Sequence, residues 1–337
     1  FSSEAQSVLM PENTPVRLYY LASGKLGIPI FDALRTHPQV SLLGVGSQPD
    51  RAAGRKQLLL ATPVASHAEA QGFKVDRIAS VNAPDFLAQL RGLDIELLVV
   101  ASFGQLLKPE LLSVPRVDCL NVHASLLPRF RGASPINMAI LRGDDKTGVS
   151  FMRMEAGLDT GPVFCQCEIP ILEHENADAL EQRLGELAAD HIGDVIWRIA
   201  REGLQPTPQL DAAATYARKI KKHDGAIRWD LPAGQILRMI LAYSPWPRVA
   251  AVVPAGKGPK RIQITDADVV AGVTPVTRPG TVLAQGRDGL LVACGQNALR
   301  IQRLIPEGRA EMKADDFLRG NPIPNGTILE DFFPGEQ

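Results

Sequence analysis

The amino-acid sequence predicts an α/β fold, with a doubly wound, mostly parallel, Rossmann-like sheet followed by a small β-barrel domain. Two observations support this prediction. In the first half, short apolar runs alternate with helical patterns, which is typical of βαβ units. Beyond Tyr243 the pattern changes to short strands separated by Gly-rich turns, which favours a barrel. At 337 residues, the chain is long enough to form two hydrophobic cores.

The first half is predicted to alternate buried strands with helices. The strands are expected at Val16–Ala22, Val40–Gly46, Ile95–Ala101 and Cys119–Val122, and the helices at Ile30–Thr36, Ser66–Gln71 and Pro84–Arg91. The Ala22–Gly27 segment matches neither a dinucleotide-binding motif nor a P-loop, so we expect a tight strand-to-helix turn there. Ligands of such sheets bind at the carboxyl ends of the strands.

The middle of the chain contains a predicted hairpin, a long helix and a linker. Val149–Glu155 and Val163–Ile171 predict a hairpin that carries the Gly157–Gly161 turn at its tip. Apolar residues at helical spacing predict a helix at Ala177–Arg201, and the proline-containing polar run at 204–222 is typical of a linker. We therefore expect an N-terminal extension at 1–15, a first domain at 16–203, a linker at 204–222 and a second domain at 223–337.

The second domain is predicted to contain one helix and a series of short strands. The helix is expected at Ala233–Tyr243, and the strands lie around Val249–Val253, Ile262–Asp266, Thr281–Gln285, Leu290–Ala293 and Leu299–Leu304. Trp246 lies between two prolines, and we expect it to be a buried anchor.

Composition limits the functional classes. Hydrophobic residues make up 45% of the chain and charged residues 22%, which is ordinary for a globular protein. The net charge of −1 gives no overall attraction to nucleic acid, so RNA binding would need a local basic patch. The four cysteines form no C-x-x-C pair, which fits free thiols and gives no reason to expect a metal. No apolar run of about 18 residues is present, so we expect no membrane partner.

Three residues supply the chemistry of a candidate active site. Asn121 and His123 lie two positions apart at the end of an apolar strand, so both side chains project from one face. Asp159 follows in the glycine-bounded turn. An amide, an imidazole and a carboxylate can promote attack on a carbonyl-type carbon and stabilise the oxyanion. No serine or cysteine forms a nucleophile elbow here, so the nucleophile is expected to arrive with a substrate. A core histidine bonded to a backbone carbonyl is the alternative for His123.

These motifs resemble the signature of the folate-dependent formyltransferases. The resemblance rests on Asn121-x-His123, on the Ser-Leu-Leu-Pro-Arg-x-Arg-Gly run at 125–132 and on Leu158–Gly161. Further blocks resemble the methionyl-tRNA formyltransferases within that superfamily: Gln48–Arg55 is similar to their first specificity loop, and Tyr216–Lys222 with Ser244–Pro247 is similar to their linker and second domain. The likeness covers roughly residues 16 to 335 and implies a formyltransferase catalytic domain followed by an OB-like barrel.

The resemblance implies a reaction and a role for each residue. A formyl group would pass from N10-formyltetrahydrofolate, the formyl-donor cosubstrate, to the α-amino group of initiator methionyl-tRNA. Asn121 and protonated His123 would stabilise the oxyanion, and Asp159 would orient or charge the imidazole and pass protons through water. The expected folate-binding residues are Phe103, Gly104, Ser125, Leu126, Leu127 and Pro128, and the expected tRNA-binding residues are Arg55, Lys219 and Lys222.

Several alternatives remain open at this point. The folate-binding loop could be a plain strand-to-helix turn, Phe103 could be a packing residue, and the basic residues could form solvated surfaces. A folate-dependent sugar-nucleotide formyltransferase would share the catalytic trio, and a glycinamide ribonucleotide formyltransferase normally ends after the first domain. A non-catalytic RNA-binding module would leave the trio unexplained. We expect a monomer located in the bacterial cytoplasm, with the mitochondrial matrix as the alternative.

Overall fold

The computed structural model describes residues 14–53, 58–255, 258–273 and 278–331. The chain divides into two compact units. The first comprises the described residues up to Gly132, together with Gly148–Ile169 and Glu181–Tyr216. The second comprises Ala133–Thr147, Pro170–Leu180 and the described residues from Ala217 onward.

The helices and strands are numbered in chain order. The helices are α1 (Gly27–Thr36), α2 (Pro63–Ala70), α3 (Pro84–Gly92), α4 (Pro109–Leu112), α5 (Pro135–Arg142), α6 (Ala177–Arg201), α7 (Ala233–Ala242) and α8 (Ala314–Gly320). The strands are β1 (Val16–Ala22), β2 (Val40–Ser47), β3 (Arg51–Ala53), β4 (Leu58–Leu60), β5 (Val75–Arg77), β6 (Leu97–Ala101), β7 (Asp118–His123), β8 (Arg131–Gly132), β9 (Lys146–Arg153), β10 (Val163–Pro170), β11 (Tyr216–Ala217), β12 (Val249–Ala255), β13 (Gly258–Val270), β14 (Val282–Gly286), β15 (Gly289–Ala293), β16 (Ala298–Pro306) and β17 (Met312–Lys313).

A seven-stranded sheet in the order β10-β9-β7-β6-β1-β2-β5 confirms the predicted doubly wound fold. Strands β5, β2, β1, β6 and β7 run parallel, and β9 runs antiparallel to β7. The central strands are apolar because helices cover both faces of such a sheet; β1 and β6 are almost wholly buried. The chain leaves β1 for one side of the sheet and later returns to the other, so the switch point lies between β1 and β6, and β7 ends beside it.

The turn after β1 is tight, as predicted. The amide of Gly24 donates to the carbonyl of Ser102 at 3.1 Å. A Cβ atom at Gly24 would lie 2.3 Å from Ser102 Oγ, so a larger residue here would require the Ser102 side chain to move. The turn then leads directly into α1. The backbone amide of Leu26, the residue before this helix, donates to the Glu181 carboxylate at 3.2 Å.

A buried ion pair within the first unit anchors the carboxyl end of helix α6. Arg201 Nη1 donates to Glu96 Oε1 at 2.6 Å, and only 8% of the arginine side chain and 4% of the glutamate side chain are exposed. Burial alone would raise the pKa of Glu96, but the hydrogen bonds from Arg201 and from the Arg17 amide lower it below its ordinary value. The pair is therefore ionised and hydrogen-bonded in the interior.

The second unit contains the expected barrel. Its antiparallel strands lie in the order β12-β13-β16-β15-β14, with β17 beside β16. The segment after α8 bridges the two edge strands, because Ile328 pairs with Thr281 next to β14 and Glu330 pairs with Val252 in β12. The sheet thus closes into a ring, which removes exposed strand edges.

Two helices of the second unit were absent from the sequence prediction. Helix α5 has proline at its first position and Gly143 in the left-handed conformation after its last, both recognisable signals. It packs on α7, where Asn137 Nδ2 donates to the Ala242 carbonyl at 2.6 Å. Helix α8 follows β17 and contributes Phe317 and Leu318 to the interior.

The expected burial of Trp246 is wrong. Its side chain is 55% exposed, although Tyr243 and Val249 on either side are buried. The residue lies in the turn between α7 and β12, and the elements that enter and leave this turn bury their own apolar side chains instead. None of the described helices is long and apolar enough to cross a membrane.

Candidate active site

Strand β7 brings two of the three candidate catalytic residues to the carboxyl edge of the sheet. Asn121 and His123 occupy alternate positions at its end, where Asn121 pairs with Val100 in β6 and with Met152 in β9. His123 is 7% exposed, whereas Asn121 is half-buried. None of the described residues hydrogen-bonds the Asn121 amide, so this donor is available to a ligand.

Both nitrogens of the His123 imidazole face acceptors. Nε2 lies 3.0 Å from the carbonyl oxygen of Phe130, and Nδ1 lies 3.7 Å from Asp159 Oδ1. Because a carbonyl group can only accept, Nε2 must carry a proton in this contact. The alternative for His123, a core histidine bonded to a backbone carbonyl, thus describes this contact with Phe130 correctly. The bond fixes the orientation of the ring. Nδ1 remains as the nitrogen that faces the carboxylate.

Asp159 lies on the turn between β9 and β10, as predicted. Its backbone φ is +54°, in the left-handed region that aspartate tolerates better than most residues. One carboxylate oxygen, Oδ2, accepts from the amide of Gly132 at 2.8 Å, while Oδ1 faces His123. The close packing of the turn requires glycine at 161, where a Cβ would lie 2.0 Å from the Arg153 carbonyl. The structure thus brings all three predicted residues together.

The backbone of the predicted folate-binding loop is largely engaged within the protein. Ser150 Oγ donates to the Ser125 carbonyl and accepts from the Leu127 amide, at 2.6 and 3.0 Å. Gln166 Nε2 donates to the Leu127 carbonyl at 2.8 Å. A carbonyl oxygen has a second lone pair, so it can accept from a ligand as well. Pro128 likewise accepts from the amide of Thr215 at 3.2 Å. The loop is therefore a fixed surface rather than a set of free backbone groups.

The predicted wall residues Phe103 and Gly104 differ in their surroundings. Phe103 is 3% exposed and packs in a core cluster that includes Tyr19 and Phe86, so its side chain has a packing role. Gly104 is exposed and has φ of +80°, a conformation that favours glycine. The Phe103 carbonyl accepts from Gln48 Nε2, which ties this loop to the end of β2.

The basic linker carries fewer available charges than its sequence suggests. Arg218 is bonded to Asp224 at 2.6 and 2.7 Å, and Arg228 lies 2.7 Å from Asp230. In the described part of the chain, no acidic group pairs with the exposed amines of three lysines: Lys219, Lys221 and Lys222. The net positive surface of this segment therefore comes from lysines.

The predicted tRNA-binding loop is only partly described. Arg55 lies outside the described residues, and the strands on either side, β3 and β4, form an antiparallel pair. All three residues of β4 are exposed leucines, at 54 to 73%. No group of three or more His, Cys, Asp or Glu side chains within the described ranges is arranged to hold a metal.

The sequence did not predict Ser150 and Gln166, which bond the folate-binding loop, or Gln209, which bonds the Asp159 turn. Gln209 lies in the segment predicted to be a linker, and its Nε2 atom donates to the Asp159 carbonyl at 2.9 Å. A lone glutamine in a proline-containing run gives no signal of such a contact.

Comparison with known proteins gives the family. Residues 17–196 match the Formyl transferase family, and residues 219–322 match the Formyl transferase, C-terminal domain family. The methionyl-tRNA formyltransferase of Geobacter metallireducens is 40% identical over 288 residues, which are 86% of this chain and 90% of that protein. The chain belongs to the methionyl-tRNA formyltransferase family. A second member, from Xylella fastidiosa, is 40% identical over 306 residues, or 90% of this chain and 97% of that protein.

Solved structures of more distant proteins share the fold of this family. HypX from Aquifex aeolicus in complex with tetrahydrofolic acid superposes with a TM-score of 0.62 at 15% identity, over 90% of this chain and 47% of that one. The sugar 3N-formyltransferase WlaRD superposes with a TM-score of 0.60 at 15% identity, over 88% and 99%. The family match of residues 219–322 also excludes the alternative of a protein that ends after its first domain, because a C-terminal domain of the family is present.

Proposed function

We propose that this protein transfers the formyl group of N10-formyltetrahydrofolate to the α-amino group of initiator methionyl-tRNA. The observation that carries the proposal is the assembly of Asn121, His123 and Asp159 at the end of β7. The curated relatives of this chain that carry the name methionyl-tRNA formyltransferase support the acceptor. A sugar-nucleotide acceptor has less support, because two solved structures of sugar formyltransferases are only 15% and 17% identical to the chain.

In this reaction the acceptor amine attacks the formyl carbon. One bond forms between the amine nitrogen and the formyl carbon, the bond from that carbon to N10 breaks, the amine loses a proton and N10 gains one. The Asn121 amide donates to the oxyanion, and protonated His123 donates from Nδ1, because the Phe130 carbonyl holds Nε2. The 3.7 Å separation of Nδ1 from Asp159 Oδ1 is longer than a direct hydrogen bond, and in this proposal the proton passes between the two groups through solvent water.

The folate site is proposed to lie beside this trio. Ser125–Pro128 and Gly104 present backbone groups to the cosubstrate, and the buried ring of Phe103 supports the loop that carries Gly104. The bonds from Ser150 and Gln166 favour this role, because a loop held in one conformation loses little entropy when a ligand binds.

The tRNA is proposed to bind through phosphate contacts from Lys219, Lys222 and Arg55. The exposed amines of the two lysines, which no acidic group among the described residues pairs with, support this assignment. In this proposal the enzyme consists of a catalytic domain at 16–203, a linker at 204–222 and a barrel domain at 223–337, and it acts as a monomer in the cytoplasm. The bacterial sources of the relatives support the location, and analytical ultracentrifugation tests the oligomeric state.

Substitution of the trio tests the mechanism. Each of Asn121→Ala, His123→Ala and Asp159→Ala is expected to reduce the formylation rate by about 10²-fold or more, since each residue acts on one charged transition state. Combined variants should lose less than the product of the single losses. The control is His191→Ala, which removes an exposed imidazole on α6 and should leave the rate unchanged.

The acceptor is tested by comparing formyl transfer to methionyl-tRNA with transfer to an amino-sugar nucleotide. Faster transfer to the amino-sugar nucleotide would show that methionyl-tRNA is not the preferred acceptor and would overturn the proposal. Near-normal turnover in a trio variant would remove that residue from the mechanism.

A further inference from the structure

A hydrogen-bonded bridge holds the turn that carries Asp159. The Nε2 atom of Gln209 donates to two carbonyl oxygens of this turn, that of Asp159 at 2.9 Å and that of Gly161 at 2.7 Å. These are the carbonyls on either side of Thr160, so one amide group spans the turn. Gln209 itself is half-buried.

The acceptor side of the same glutamine is also fixed. Gln209 Oε1 accepts from Arg131 Nε at 2.9 Å, and Arg131 Nη2 donates to Asp211 Oδ1 at 2.7 Å. The Arg131 side chain is 3% exposed. Its burial favours loss of the charge, but the hydrogen bonds to Asp211 and Tyr216 outweigh this effect and raise the pKa of the guanidinium. The arginine is thus a buried, permanently charged anchor for the glutamine.

The bridge completes a hydrogen-bonded network that includes the His123 imidazole. Arg131 follows Phe130, whose carbonyl accepts from His123, and precedes Gly132, whose amide donates to Asp159. One short segment therefore contacts both the histidine and the aspartate, and Gln209 joins it to the far side of the aspartate turn.

We propose that Gln209 is a positioning residue for formyl transfer, whose amide keeps the Asp159 turn in the conformation that aims the carboxylate at His123. The inference rests on the proposed function, since it assumes that Asp159 acts in the transfer.

The physical reason lies in the backbone of the turn. A non-glycine residue with φ of +54° persists only where its surroundings hold it, because this region is less favourable than the ordinary helical and extended regions. The Gly132 amide holds the carboxylate of Asp159. Gln209, in contrast, bonds the backbone of the turn, at the carbonyls of Asp159 and Gly161. Loss of these contacts lets the turn relax, and a displacement of about 1 Å at a catalytic group is enough to cost about 10² in rate.

The test uses two substitutions that separate the two ends of the glutamine. Gln209→Met keeps the length of the side chain and removes all its hydrogen bonds, while Gln209→Glu keeps an acceptor for Arg131 and removes the donor. Both are expected to lower kcat for methionyl-tRNA about 10- to 100-fold, with KM for both substrates changed by less than about twofold. The matched control is Gln205→Met, because Gln205 lies in the same segment, is exposed and bonds only the nearby Gly203 carbonyl among the described residues.

A double-mutant cycle shows whether Gln209 acts through Asp159. In an Asp159→Ala background, Gln209→Met is expected to change kcat by less than about twofold, because the group that it positions is already gone. An unchanged kcat in both single variants would overturn the proposal. So would a full additional loss in the Asp159→Ala background, or a rise in KM for tRNA with kcat preserved. If Asp159→Ala alone keeps the full rate, the proposed mechanism fails instead, which distinguishes the two.

Discussion

The salt dependence of tRNA binding can be predicted from the charges of the linker. Arg218 donates two hydrogen bonds to Asp224, whose side chain is 6% exposed. The Arg218 guanidinium is the largest influence on the pKa of Asp224 and holds it below its ordinary value, so the carboxylate is ionised at neutral pH. This pair contributes no net charge. Lys219 and Lys222 have no such partner within the described residues, so they are the groups expected to displace counterions from RNA.

The magnitude follows from counterion release. Each phosphate contact contributes about 0.9 to the slope of log affinity against log salt for a duplex, and about 0.7 for a single strand. The Lys219→Ala/Lys222→Ala variant should therefore have a slope smaller by about 1.4 to 1.8. Between about 50 and 200 mM salt, the wild-type affinity should fall about sevenfold to twelvefold more than that of the variant.

The assay is tRNA binding by fluorescence anisotropy at a series of salt concentrations. The matched control is Arg218→Gln/Asp224→Asn, which removes an ion pair from the same segment without changing the net charge and should leave the slope unchanged. Folate binding should be equal in all three proteins. An unchanged slope in the lysine variant, or an equal reduction in the ion-pair variant, would refute the assignment of these lysines to phosphate contacts.

Two further predictions concern the specificity loop and the core. Arg55→Ala should impair formylation of methionyl-tRNA far more than hydrolysis of the formyl donor without tRNA, because a misplaced amine loses proximity while the trio is intact; equal effects in steady-state kinetics would make the loop ordinary surface. Arg201→Met should lower the free energy of unfolding by about 3 to 5 kcal/mol in urea, because Glu96 stays buried without its main partner. The control Arg198→Ala on the same helix breaks only exposed ion pairs and should cost less than about 0.5 kcal/mol. The pKa of Glu96 is lowered in the folded protein, so the stability from this pair is fully present above the ordinary glutamate pKa and is lost as pH falls through the lowered value. The difference in unfolding free energy between wild type and Arg201→Met should therefore shrink in acid. A difference that stays constant with pH would contradict this reasoning.

The sequence by itself determined the architecture and the identity of the catalytic candidates. Strand β1 and helix α6 have the predicted bounds, because each is long and has an unbroken hydrophobic pattern. Asn121 and His123 were recognisable because the pleat of a strand places alternate residues on one face, and Asp159 because glycines bound its turn. These inferences depend on local geometry, which a short stretch of sequence specifies.

Only the tertiary structure decided which polar groups meet. The segment at 204–222 reads as a linker, yet its first part belongs to the first unit, with Thr207 paired to Val163 and Gln209 bonded to the Asp159 turn. The sequence likewise predicted neither the ion pair that neutralises Arg218 nor the exposure of Trp246. Composition and periodicity report burial along one element, whereas the partner of a polar side chain depends on distant segments that come together only when the chain folds.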